Sequence, residues 1–188
     1  MPPEEHWRAA LEGTHAVLKQ SRVSPLAVIG IGFSSQGQTF IPINSAGRPL
    51  YNAFVWVDNR AQGNANDWEV SWRSCERFHQ ISGYLQIPAV LAVFKVAWLA
   101  RHAPDAHRAW RYLLLPDYLI YRLTGKTGTD YYITARMSGL FDLETGDWEP
   151  HLLGWAGVTR EQLPVVLSRG FIAGKLLPVV FEKGHRSP

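Results

Sequence analysis

Ala27-Val28-Ile29-Gly30-Ile31-Gly32-Phe33-Ser34-Ser35-Gln36-Gly37-Gln38-Thr39 is the stretch on which the reading of the fold turns. Its first seven residues form an unbroken apolar run, the pattern of a strand buried on both faces. At Ser34 the run gives way to a polar loop. In α/β sheets the ligand crevice lies beyond the carboxyl ends of such strands. Gln36 and Gln38 would bring neutral donors and acceptors there, which suit sugar hydroxyls better than a charged substrate. Gly37 between them leaves room for close approach by a ligand or a second backbone. Taken alone, the loop reads better as an ordinary polar turn between two strands.

Upstream, Trp7, Ala10, Leu11, Thr14, Val17 and Leu18 recur at helical spacing behind Pro3 and an acidic first turn, which predicts an amphipathic helix over 3–19. Downstream, Thr39 to Ile43 reads as a second strand, placed at an edge or bulge by Pro42. After the Asn44-Ser45-Ala46-Gly47 turn, Ala53 to Val57 reads as a third. Helix, buried strand and hairpin in this order indicate an α/β layer architecture. Beyond Asp58 the pattern is mostly helical, with helices predicted over 64–80, 89–102 and 116–123. The last has Pro116 in its first turn and Gly125 just past its end. Gly139 to Leu143 reads as a strand entering the Glu144-Thr145-Gly146-Asp147 turn, and Thr159 to Gln162 matches a capping box.

Trp56-Val57-Asp58-Asn59-Arg60 follows the third predicted strand and supports two compatible readings. In one, the Trp56 ring lies against sugar C–H bonds with Asp58 and Arg60 beside it. In the other, Trp56 is buried, Asp58 caps the next helix and Arg60 is its ion-pair partner. Arg122-Leu123-Thr124-Gly125 and the hydroxyl-rich Thr129 to Ala135 suggest a helix stop and structural packing.

Composition narrows the field. With 46% apolar and 19% charged residues the 188-residue chain is globular in type, suited to one domain or one lobe of a larger protein. A formal charge of +3, with Lys and Arg scattered, gives no basic stripe for nucleic acid. The single cysteine, Cys75, cannot form an intrachain disulfide and reads as a small helix residue. The longest apolar stretch, Pro88 to Ala100, is interrupted by Lys95 and is too short to span a bilayer. No secretory leader is legible at the N-terminus. The expectation is a cytoplasmic protein without nucleic-acid or membrane partners. The seven His are dispersed and no metal set is expected.

In order, these segments resemble the FGGY family of carbohydrate kinases. The resemblance is carried by Ile29 to Gln36, Gly47-Arg48-Pro49-Leu50, Trp56 to Arg60, Lys95-Val96-Ala97-Trp98-Leu99 and Asp117-Tyr118-Leu119. It continues through Arg122 to Gly125, Thr129-Asp130, Trp148 and Leu163-Pro164. It implies an α/β, ribonuclease-H-like (actin-like ATPase) N-terminal lobe, incomplete and with a helical insertion, over 1–178, followed by a tail over 179–188. It also implies transfer of the γ-phosphoryl of ATP, with Mg2+, to a sugar or polyol hydroxyl, with an aspartate as base. By the same resemblance Gln36, Gly37, Gln38, Trp56 and Asp58 fall where relatives hold the sugar. Gln36-Gly37-Gln38 departs from both the Gln-Met-His of xylulokinases and the Gln-Arg-Glu of glycerol kinases. Ala89-Val90 stands where glycerol kinases carry a Tyr. Both departures count against glycerol and leave the pentulose assignment open; a pentulose such as xylulose is the favoured expectation. The family's phosphate loop and base aspartate have no counterpart in these residues. The expectation is therefore a chain inactive alone, completed by another lobe or prone to self-association; the alternative is a non-catalytic product that binds sugar weakly.

Overall fold

The computed structural model describes residues 1–72, 75–132, 138–168 and 170–177, with the side chains of 69–72 and 75 left out of the description. The predicted tail and the end of the Thr129 to Ala135 loop lie outside these residues. The organising element is a short antiparallel ladder between β1 (Phe40–Ile43) and β2 (Arg111–Leu114), with Phe40 opposite Leu114 and Ile43 opposite Arg111. Because side chains alternate across a strand, the ladder has two apolar faces. Phe40, Tyr112 and Leu114 point into the larger core, while Ile41, Ile43 and Leu113 point into the smaller one. On its other side β1 meets, among the described residues, only isolated bridges, Phe40 to Phe54 and Ile43 to Pro49. Pro42, which has no N–H to give, sits in this interrupted edge and accepts from the Leu50 N–H.

The larger core is built by helices. These are α2 (Gln62–Trp72), α3 (Cys75–Ser82), α4 (Ala92–His102) and α7 (Pro150–Ala156), with the short α5 (Pro104–His107) alongside. Trp68 is fully buried at its centre, edge-on to Trp155 at 5.1 Å and to Phe78 at 6.2 Å. The smaller core lies between the ladder, α6 (Leu115–Thr124) and the first turns of α1 (Pro3–Ser21). β3 (Gly128–Asp130) runs parallel to β6 (Val165–Leu167), and β4 (Phe141–Asp142) pairs with β5 (Asp147–Trp148) as a hairpin. The Trp148 indole N–H reaches the Pro164 carbonyl at 3.2 Å, tying the hairpin to the chain ahead of β6.

Local signals were obeyed where they were self-contained. Pro116 stands in the first turn of α6 and Gly125 closes it at φ 71°, a left-handed conformation that costs glycine nothing. Gln162 Oε1 accepts the Thr159 N–H at 2.9 Å, one arm of the predicted capping box. The helix predicted over 64–80 is two helices, α2 and α3.

Three expectations are corrected. Ala27 to Phe33 is not a buried strand: Pro25–Ala27 is a 3-10 turn and Val28 to Phe33 form no regular element, with Ile29 fully exposed. Burial on both faces requires strands on both edges, and no described strand runs beside it. Ala53 to Val57 keeps only the Phe54 bridge. The Val55 carbonyl turns back to accept the Asp58 N–H at 3.0 Å, which ends strand geometry there. The apolar stripe of α1 is real, but beyond Trp7 it is only partly covered, with Ala10 and Leu11 against the smaller core and Val17 exposed. Ala10, Leu11, Thr14, Val17 and Leu18 line an open groove of about 520 Å³ shared with Val28, Ile31 and Leu119.

Candidate functional site

The turn after Phe54 carries two of the five candidate residues, Trp56 and Asp58. Phe40 and Phe54 exchange backbone hydrogen bonds at 3.2 and 3.1 Å, and their rings stack at 4.8 Å. This pins the chain just before the turn. Trp56 then emerges with 53% of its surface exposed, so its reading as a buried ring is set aside. Asp58 is not the cap of α2 either. Its Oδ1 accepts the Arg60 N–H at 3.1 Å, an Asx turn leading into the helix. The expected ion pair is present: Arg60 Nε lies 3.0 and 2.9 Å from the two oxygens of Asp58, and its Nη2 lies 2.7 Å from Oδ2. The guanidinium also rests over the Phe54 and Trp98 rings, 5.1 and 5.2 Å from their centroids.

Burial resists ionisation of Asp58, but the hydrogen bonds from Arg60, then the charges of Arg60 and Lys95, outweigh it and hold the carboxyl below its usual range. Lys95 is the residue that motif reading left out of the site. Its side chain is fully buried on α4, and its Nζ donates to the Val55 carbonyl at 2.9 Å. Burial pushes its ammonium down to about 8, against the pull of Asp58. The only sequence signal was a lysine inside the apolar run from Leu91 to Leu99.

Gln36, Gly37 and Gln38 are half-buried and lead directly into β1 through the fully buried Thr39. A second ionisable group is sealed away from the corner. Asp117 is buried at the start of α6, where burial pushes its carboxyl up to about 8 although the Thr129 hydroxyl and the Leu114 N–H favour its ionised form. Among the described residues no group of three or more His, Cys, Asp or Glu could hold a metal ion. No helix among them is long and apolar enough to cross a membrane.

The arrangement is a polar corner with one exposed aromatic face, anchored from below by a buried cation and from the side by an ion pair. Comparison with known proteins gives it a lineage. The N-terminal-domain profile of the FGGY family of carbohydrate kinases matches residues 1–184. A glycerol kinase of Nitratidesulfovibrio vulgaris is 32% identical over 173 residues, covering 88% of this chain and 34% of the relative. The fold is that of a gluconate kinase from Lactobacillus acidophilus, at TM-score 0.86 and 23% identity over 96% of this chain and 36% of the other. A ligand-bound xylulose kinase from the same organism gives TM-score 0.85 and 23% identity over 95% and 36%. The chain spans about a third of the length of the curated relatives it matches. The fold expected from the sequence, the N-terminal part of an actin-like sugar-kinase fold, is the one found, and the chain belongs to the FGGY family of carbohydrate kinases through its N-terminal domain.

Proposed function

We propose that this chain is the sugar-holding part of an ATP-dependent carbohydrate kinase, occupying residues 1–178, and that Gln36, Gly37, Gln38 and Trp56 face the sugar or polyol. The observation that carries the reading is Trp56: an aromatic ring half in solvent on a turn held from below and beside. An exposed aromatic face with polar neighbours is what a ring of C–H bonds and hydroxyls needs. The antiparallel bridge between Phe40 and Phe54 supports the company it keeps. It ties the chain just after Gln38 to the chain just before Trp56, so each of the two residues lies two positions from the same bridge. Asp58 acts at one remove, because Arg60 engages both of its oxygens. Asp58 orients the turn and does not take the proton of the attacking hydroxyl, and Asp117 is sealed in the core. Mg-ATP is the phosphoryl donor of such a kinase, with no described residue assigned to it. The reaction belongs to the cytoplasm, where ATP is supplied.

The departures at Gln36-Gly37-Gln38 and Ala89-Val90 count against glycerol and leave a pentulose such as xylulose open, while the name of the 32% identical relative speaks for glycerol. Titrating D-xylulose, glycerol and D-gluconate into the chain while following tryptophan emission decides among them. Gln38→Ala leaves a sugar hydroxyl unpaired and weakens binding by about 1–3 kcal/mol, roughly ten- to a hundredfold. Trp56→Ala weakens it at least as much. A coupled ADP-release assay on the same preparation, freed of host kinases, should show no sugar-dependent turnover. Saturable binding unchanged by both substitutions, or turnover by the chain alone, overturns this division of labour.

A further inference from the structure

Lysine is seldom buried, since removing an ammonium from water costs several kcal/mol unless partners compensate. Lys95 nevertheless lies wholly inside, and what it meets is the back of the candidate site. Its Nζ holds the Val55 carbonyl at 2.9 Å, the same oxygen that accepts the Asp58 N–H at 3.0 Å. That carbonyl is therefore the pivot of the turn that carries Trp56. Three residues further along α4, on the same side of the helix, Trp98 lies under the Arg60 guanidinium at 5.2 Å. Two side chains of one helix thus support a turn about 40 residues away in sequence, one through its backbone and one through its ion pair. Asp58 sits between two cations, Arg60 at the side and Lys95 below.

We propose that Lys95 is a positioning residue: its buried ammonium fixes the Val55–Asp58 turn and thereby the direction in which the Trp56 ring faces its ligand. The structural part stands on the distances above; its consequence for sugar rests on the reading of Trp56 given under Proposed function. A methionine at 95 fills the same space but drops both the hydrogen bond and the charge, so the turn swings while the helix stays packed. An arginine keeps a charged donor in place. The titratable and charged groups facing Lys95 are Asp58 and Arg60, with Tyr51 beyond Arg60.

The test uses the full chain labelled with 5-fluorotryptophan and read by fluorine NMR, with the Trp56 line identified by its absence in Trp56→Phe. In the unsubstituted chain the Trp56 line shifts in one step centred near pH 8, as the Lys95 ammonium loses its proton. In Lys95→Met the step is lost and the line is displaced at neutral pH, while the core lines of Trp68 and Trp155 hold their positions. Lys95→Arg returns the line to its neutral position without the step. A Trp56 line with no step in the unsubstituted chain, which requires no variant to fold, overturns the proposal. So does a step that persists in Lys95→Met. The sugar readout separates the two ideas. If the step behaves as stated and no sugar moves the Trp56 line, the positioning role holds and the sugar reading falls. If sugar moves the line equally in Lys95→Met, with binding within a factor of about two, the sugar reading holds and the positioning role falls.

Discussion

Asp117 and Lys95 are opposite solutions to one problem, a charge taken out of water. Lys95 keeps Asp58 near enough to oppose its loss of charge, whereas the charged neighbour of Asp117 is Asp130, which adds to the effect of burial. With a folded-state value raised to about 8 from 3.8, Asp117 favours the folded chain while it holds its proton. Its contribution is complete below about pH 4 and is lost as the pH rises through about 8. Asp117→Asn keeps an acceptor for the Leu114 N–H and has no proton to lose. Urea unfolding should show the original chain weakening from mildly acidic to mildly alkaline pH. The Asn variant should stay nearly flat and be more stable by about 1–2 kcal/mol at the alkaline end. Parallel curves for the two proteins would place the pH dependence elsewhere. At this scale the sequence was legible wherever partners are neighbours. Asp58 and Arg60 are two residues apart and their pairing could be read directly. The bond from Lys95 to Val55 joins distant segments, and nothing in the run around Lys95 says which carbonyl it meets.

Among the elements, α1 shows how far periodicity can be trusted. Its apolar stripe predicted a helix, and a helix of 19 residues is found. Burial, however, stops after Pro3 and Trp7. The helix is held at one end, where Arg122 lies over the Trp7 ring at 4.7 Å, Glu4 pairs with Arg122 and the Ala53 N–H reaches the Met1 carbonyl. Isolated helices of this length are marginal in water, so the unsupported turns depend on that anchor. Trp7→Ala should cost about 3 kcal/mol of docking. Hydrogen exchange in α1 should then rise to nearly unprotected rates, while α4 and α7 keep their protection. Unchanged exchange in α1 would mean that the groove face holds the helix without Trp7. The strand read over Ala27 to Phe33 failed for a related reason. Seven apolar residues look the same whether a neighbouring strand covers them or water does, and only tertiary context decides.

For the whole molecule, the uncovered surface matters most. From Val23 through Gly47 the sequence carries no charged residue, and Leu26 and Ile29 within it are fully exposed. Exposed extended segments normally carry charge, proline or a bulge that discourages pairing with another chain. Up to Phe33 this one has a single proline, Pro25, ahead of Val28. The isolated chain should therefore self-associate through this face. Sedimentation velocity should show the mean size rising with concentration, and replacing Ile29 and Ile31 together by Lys should return a monomer without loss of helical signal. A monomer at all concentrations before any substitution would end that expectation. The four-residue strand β1 has a wider effect. Phe40 serves one core and Ile41 the other, so the two cores share a single partition. Whatever loosens the partition admits water to both sides at once. Neither core has a private way to melt, and the corner at Trp56, hung from Phe40 through Phe54, lasts as long as both of them do.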